Sequence, residues 1–196
     1  MEFMASLPDN AYDLAIVDPP YGIGDKKLTQ GGTWANKYKK GSVSWDEKPE
    51  HIYFEELFRV SKNQIIWGGN YFVNHLNPSM GWIFWNKGQK LTMSDGELAY
   101  TSFEKALREV TINRCKIGDY GGFIHRTQKP VQLYKWLLMN YAKQGDKILD
   151  THGGSMSIAI ACHELDFDLE LCEIDKEYFD NGVKRFNNHI SQTKLF

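Results

Sequence analysis

The stretch from Lys147 to Ile190 constrains the fold more than any other part of this chain. Lys147 to Asp150 is an apolar run too short for a helix, and Thr151 to Ser155 is a glycine-containing turn. Ser157 to Glu164 is a helical run of small residues, and Asp168 to Glu173 is a second strand. A helix from about Lys176 is expected to bury Phe179, Val183, Phe186 and Ile190. Two parallel strands joined through a helix need helices on the sheet faces, so an α/β layered domain is expected.

The rest of the chain extends that pattern. Tyr12 to Asp18 is an apolar strand that stops at Pro19-Pro20, because proline cannot continue a ladder. Residues 49–60 place Tyr53, Phe54, Leu57 and Phe58 at helical spacing, and Gln64 to Trp67 forms a strand closed by Gly68-Gly69. Gly81 to Trp85 and Glu97 to Phe103 are expected to finish the far side of a mixed sheet. Thr127 is expected to cap a helix that carries Pro130 in its first turn, buries Tyr134, Leu137, Leu138 and Tyr141, and ends at Gly145. Residues 22–45 show no period and interleave lysines with Trp34, Tyr38 and Trp45, which predicts a long functional loop.

Composition excludes several classes. The 196 residues are 42% hydrophobic and 24% charged, which fits one globular domain and excludes a collagen-like or wholly disordered chain. No apolar run approaches the roughly 18 to 20 residues of a membrane span, and no basic leader is seen. Cys115, Cys162 and Cys172 are odd in number and form no C-x-x-C pair, so neither a disulfide framework nor a structural zinc site is expected, and no metal is assigned. A cytoplasmic setting follows as the expectation.

Charge is uneven. Residues 146–180 hold ten acids against Lys147 and Lys176, a balance of −8 within a net charge of −2. The remainder is therefore basic, with positive groups at Lys26, Lys27, Lys37, Lys39 and Lys40 and again from Arg108 to Lys143. One part would repel phosphate and the other could attract it; a solvated surface with chance clustering of charge is the bland alternative.

Two stretches carry chemistry. In the first, a strand, a glycine turn, a helix and a second strand lead to Glu173, 23 residues after Asp150. An acid about 20 residues on is the arrangement that accepts ribose hydroxyls of a nucleoside cofactor. The turn lacks G-x-G-x-x-G, so a dinucleotide is disfavoured, and the crowded acids suit a cationic ligand. Taken alone, two glycines can simply close a strand-to-helix turn. In the second, Asp18-Pro19-Pro20-Tyr21 ends a strand with two residues that lack N–H groups, which leaves the Pro19 carbonyl free beside a carboxylate. Two acceptors and the flat Tyr21 ring fit a planar base with an exocyclic amine. An ordinary proline turn is the bland alternative.

Together these motifs resemble the DNA amino-methyltransferases of the permuted class, in which D-P-P-Y precedes the cofactor loop. The resemblance spans nearly the whole chain. It includes Trp45-Asp46, Arg59-Val60 through Gly68-Gly69-Asn70, Trp82 to Lys87, His125 to Pro130, the turn from Asp150, and Cys172-Glu173-Ile174-Asp175. It implies a Rossmann-like α/β fold, a mixed and mostly parallel sheet with helices on both faces and a circularly permuted motif order. The implied cofactor is S-adenosyl-L-methionine, whose sulfonium and α-ammonium match the acidic surroundings.

By that resemblance Asp18, Pro19, Pro20 and Tyr21 hold the target amine, with Asp18 also at the cofactor. Thr127, Gln128, Lys129 and Pro130, with Asp150, His152, Gly153, Gly154 and Ser155, flank the methionine part, and Glu173 takes the ribose. Aspartate at the first tetrad position favours the N6 amine of a flipped adenine in double-stranded DNA, the kind of site-specific methylation found in restriction-modification. Cytosine N4, an RNA substrate and a silent DNA-binding relative are the alternatives. Lys26, Lys27, Lys37, Lys39, Lys40, Arg114, Lys116 and Arg126 are the candidate phosphate contacts. The implied domain is a single catalytic unit over residues 1–196, with 22–45 a mobile DNA-facing loop and about 103–126 a small target-recognition segment, a size compatible with a homodimer.

The family turn usually reads D-x-F-x-G-S-G-T. Here His152 replaces the aromatic residue, Met156 the last glycine and Ser157 the threonine. A packing role in the turn is expected for His152, and core positions for Cys162, Cys172, Trp67, Trp82 and Trp85.

Overall fold

A computed structural model describes residues 1–23, 46–89, 94–125 and 127–192. Lys26, Lys27, Lys37, Lys39, Lys40 and Arg126, and nearly all of the 22–45 loop, lie outside the described residues. Among those described, seven strands form one sheet: β1 (Tyr12–Val17), β2 (Ser61–Trp67), β3 (Trp82–Asn86), β4 (Gly96–Thr101), β5 (Arg108–Thr111), β6 (Lys147–Asp150) and β7 (Asp168–Leu171). The spatial order is β5-β3-β4-β2-β1-β6-β7. β1 pairs in parallel with β2 and β6, β6 with β7 and β3 with β5, while β4 runs antiparallel to β2 and β3.

The helices are α1 (Glu2–Ala5), α2 (His51–Val60), α3 (Val131–Tyr141), α4 (Ser157–Leu165) and α5 (Lys176–Gln192). Two cores lie on opposite faces of the sheet, because alternate residues of β1 point to opposite sides. Leu14 and Ile16 join Trp67, Trp85, Leu133, Leu137 and Ile158 in one core. Ala15 and Val17 join Tyr53, Phe54, Leu57 and Leu149 in the other. β1 leads through α2 outward to β2, and β6 leads through α4 outward to β7 in the opposite direction. The β1–β6 boundary is therefore the topological switch point, where open α/β sheets bind ligands beyond the carboxyl ends of their strands. The expected fold class and permuted motif order agree with this architecture.

Several local expectations are corrected. Thr127 caps no helix: α3 starts at Val131 with Pro130 as its N-cap, and the Thr127 N–H and hydroxyl instead meet His125 Nδ1 at 3.3 and 3.2 Å. α3 ends at Tyr141, and Gly145, at φ +90°, serves the turn into β6. β5 is an additional strand whose Arg-Glu-Val-Thr sequence has only Val110 buried, so it lacks an apolar run. α5 turns Gly182 and Arg185 inward and leaves Phe179 41% exposed, with Val183, Phe186 and Ile190 only half-buried. Arg185 dictates this face, because its guanidinium donates to the carbonyls of Tyr120 (2.8 Å) and Ser155 (2.7 Å) and to Ser157 Oγ (3.0 Å). Among the described residues no helix is long and apolar enough to cross a membrane.

Candidate active site

β1 ends at Val17, and the next residues form the corner that the sequence singles out. Asp18 sits at the strand's carboxyl end, where its Oδ1 accepts the Tyr21 hydroxyl at 2.8 Å and its Oδ2 meets the Lys129 ammonium at 2.5 Å. The Tyr21 ring lies flat on the turn after β2 because Gly68 has no side chain: a Cβ there would stand 2.2 Å from Tyr21 Cε1. Gly68 also adopts φ +66°, which glycine enters without cost. Tyr71 stacks on Tyr21 with ring centres 4.9 Å apart and planes 17° apart, so one ring face is already taken.

Lys129 is the buried cation of the site, with its side chain 2% exposed. Its Nζ lies 3.3 Å from Glu97 Oε2 and 5.2 Å above the Trp67 ring. Glu97 in turn pairs with Lys87 at 2.7 Å. Burial raises the Asp18 carboxyl above the usual range; Lys129 opposes the rise and Glu97 reinforces it. Burial also works to raise Glu97, but Lys129 and Lys87 outweigh it and hold that carboxyl at about 2. Lys129 stays protonated because Asp18 and Glu97 overcome the burial of its charge.

The glycine turn follows β6. Gly153 closes against β7, where a Cβ would lie 2.3 Å from Leu171 Cδ2, and Gly154 takes φ +48°. The Gly154 N–H donates to Glu173 Oε2 at 2.7 Å, and the Asp175 N–H donates to Oε1 at 2.8 Å. A carboxylate offers about four acceptor sites, so lone pairs remain for a ligand. Met156 occupies the left-handed region at φ 55° as the N-cap of α4, where the family pattern has glycine. Its side chain is buried against Gly182, whose absent Cβ would be 2.8 Å from Met156 Cγ. Packing of Met156 offsets that backbone strain.

His152 packs edge-on to Tyr53, with ring centres 5.4 Å apart, and its Nδ1 is 2.9 Å from Thr151 Oγ1. Burial pushes its pKa down to about 4, so the ring is neutral. Asp150 Oδ1 accepts the His152 N–H at 2.9 Å, and burial raises the Asp150 carboxyl to about 8. Among the described residues no three metal-binding side chains cluster.

One cavity of about 320 Å³ joins these parts. Of the residues singled out in the sequence, Asp18, Pro19, Pro20, Tyr21, Thr127, Gln128, Lys129, His152, Gly153, Gly154, Ser155 and Glu173 line it. Pro130 and Asp150 do not line it: Pro130 starts α3, and Asp150 is buried under the turn. Gln128 turns most of its amide away to order the neighbouring segment, donating to the Ile117 and Gly122 carbonyls and accepting the Ile124 N–H, each at 2.9 Å. Arg114 and Lys116 stand outside the cavity on the 3-10 turn Arg114–Gly118. The sequence reading gave no site role to Glu97, Tyr71, Tyr134, Ile174 or Tyr178. Glu97 is the one charged residue of β4, Gly-Glu-Leu-Ala-Tyr-Thr, and that was the available signal for it.

Among the described residues, five carboxylates (Asp18, Asp46, Glu47, Glu173 and Asp175) and the ammonium of Lys129 line the cavity, a field that favours a cationic ligand. Comparison with known proteins agrees with this chemistry. The type II methyltransferase M.HpaI of Haemophilus parainfluenzae is 24% identical over 96% of this chain and 72% of its own length. The cytosine-N4-specific PvuII DNA methyltransferase superposes with a TM-score of 0.63 at 14% identity, covering 94% of this chain and 83% of that one. M1.HpyAVI in complex with S-adenosylmethionine superposes with a TM-score of 0.59 at 18% identity, over 93% of this chain and 91% of that one. These structures share the fold. The family model for N6/N4 DNA methylases matches residues 32–184. With well over half of its length matched, this chain belongs to the S-adenosylmethionine-dependent N6/N4 DNA methylases.

Proposed function

We propose that this protein transfers a methyl group from S-adenosyl-L-methionine to the exocyclic N6 of an adenine flipped out of double-stranded DNA. The observation that carries the reading is that one cavity is lined at once by Asp18 to Tyr21, by Gly153-Gly154 and by Glu173. S-adenosylmethionine supplies an activated methyl group on a sulfonium. Glu173 is assigned to the ribose, Ile174, 94% exposed and on the cavity wall, to the adenine edge, and the carboxylates to the positive charges. Thr127, Lys129, His152 and Ser155 enclose the rest.

Asp18 and the Pro19 carbonyl accept from the two hydrogens of the target amine. Drawing those hydrogens out of the ring plane returns the nitrogen lone pair from conjugation and aims it at the methyl group, so positioning supplies much of the rate. The N–C bond forms as the S–C bond breaks, and the excess amine proton leaves toward Asp18, whose burial makes it a better acceptor than an exposed aspartate. Base extrusion costs a few kcal/mol, offset by contacts to the flipped base and the DNA backbone. Arg114 and Lys116 are assigned to phosphates, together with Lys26, Lys27, Lys37, Lys39, Lys40 and Arg126. The whole chain acts as one catalytic domain, with 103–126 contributing to target recognition.

Cytosine N4 is the second reading, favoured by the likeness to the PvuII enzyme. Labelled-methyl transfer to matched duplexes lacking either adenine or cytosine in one strand, followed by sequencing of methylated DNA, separates the two. N6-methyladenine in a fixed context is expected. Methyl groups on cytosine alone would replace the adenine reading with its rival.

A further inference from the structure

We propose that Glu97 is a positioning residue of the transfer reaction, acting through Lys129 on Asp18; the inference rests on the reading of Asp18 as the acceptor of the target amine. Glu97 lies on β4 and is not among the residues that line the cavity, so its route to the reacting groups runs through Lys129. Its Oε2 nevertheless lies 3.3 Å from Lys129 Nζ, the group that grips Asp18.

A sealed ammonium needs one counter-charge to survive burial, and Asp18 alone would supply it. Two carboxylates are present. With Asp18 as sole partner, Lys129 would place its whole charge on the group that must also accept the amine, weakening Asp18 as an acceptor. Glu97 takes a share of that charge, and Lys87 balances Glu97 at 2.7 Å. Four charges thus alternate in sign, Asp18, Lys129, Glu97 and Lys87, from the cavity wall to the end of β3. Among the described residues, the other groups that bear on this chain of charges are Tyr21, Asp150 on β6, Tyr134 on α3, the Trp67 ring on β2 and the Trp85 ring on β3, which lies 5.3 Å from Lys87 Nζ. None of these supplies a second full counter-charge next to Lys129.

The signs follow from the charges. The Glu97 carboxylate raises the proton affinity of Asp18 and of Lys129. Removing its charge moves both down.

The test compares kcat against pH for the full chain and for Glu97→Gln, with cofactor binding by calorimetry as the fold control. In Glu97→Gln, kcat is expected to fall about tenfold, within the range of acid–base effects, while KM for cofactor and DNA stays within about twofold. The acid and alkaline limbs should both move to lower pH by about one unit. Should Glu97→Gln fail the fold control, Glu97→Asp carries the test: withdrawing the carboxylate by one methylene should shift both limbs in the same direction by less. Limbs and kcat that coincide with those of the unmodified protein overturn the role of Glu97. In that event Asp18→Ala separates the two claims: loss of transfer leaves the function standing without Glu97, and undiminished transfer removes the function as well.

Discussion

The backbone N–H of Gly154 donates to Glu173 Oε2 at 2.7 Å, which fixes the turn after β6 to the end of β7. One carboxylate thus shapes the turn and presents its remaining lone pairs to the cavity. Glu173→Ala should weaken S-adenosylmethionine binding by about 10- to 100-fold, the value of one or two hydrogen bonds to a charged group. Calorimetry checks this. Glu173→Gln, which keeps one acceptor oxygen, should fall between.

The two glycines of the turn are needed for different reasons and should fail differently. A Cβ on Gly153 would meet Leu171 Cδ2 at 2.3 Å, whereas one on Gly154 has nothing nearer than 3.7 Å and meets only the cost of φ +48°. Gly153→Ala should therefore cost about 1–3 kcal/mol by overpacking, and Gly154→Ala about 1 kcal/mol from backbone strain. Urea denaturation of both variants provides the comparison.

Much of this arrangement is legible in the sequence. The apolar runs of β1 and β6, the proline corner and the glycine turn are local signals, and each falls where its residues predict. Polar residues that act at a distance are not local signals. Arg185 rotates α5 away from the face its apolar residues suggest because it satisfies carbonyls from two other segments. Glu97 and Lys129 are 32 positions apart in sequence, and nothing in either neighbourhood announces that they share a charge. Thr127 has the composition of a cap, yet Pro130, which fixes its own φ, sets the start of α3.

Asp150 should make stability depend on pH. Its folded pKa is about 8 against 3.8 when exposed, so the folded protein keeps a proton that the unfolded chain has lost. Stability from this group is fully present below 3.8 and is lost as pH rises through 8. His152 acts in the opposite sense, but only between 6.5 and about 4. Between pH 6.5 and 8 the Asp150 slope is therefore uncompensated by His152. Asp150→Asn, which retains an acceptor for the His152 N–H, should remove up to about 1.4 kcal/mol per pH unit of that decline. Denaturation series across the interval measure it.

Arg114 and Lys116, proposed above as phosphate contacts, lie on a turn outside the cavity. Replacing both with alanine should weaken binding to all DNA sequences alike. The slope of log affinity against log salt should flatten by about one to two. Fluorescence anisotropy across a salt series reads both effects, and an unchanged slope removes these residues from the DNA surface.

The most direct measurement is the initial rate of labelled-methyl transfer to DNA by Asp18→Ala at saturating S-adenosylmethionine. The rate should fall by at least about a hundredfold, the scale of losing one preorganised acceptor at the reacting atom. Transfer at the unmodified rate would contradict the account of the proline corner as the site that holds the amine.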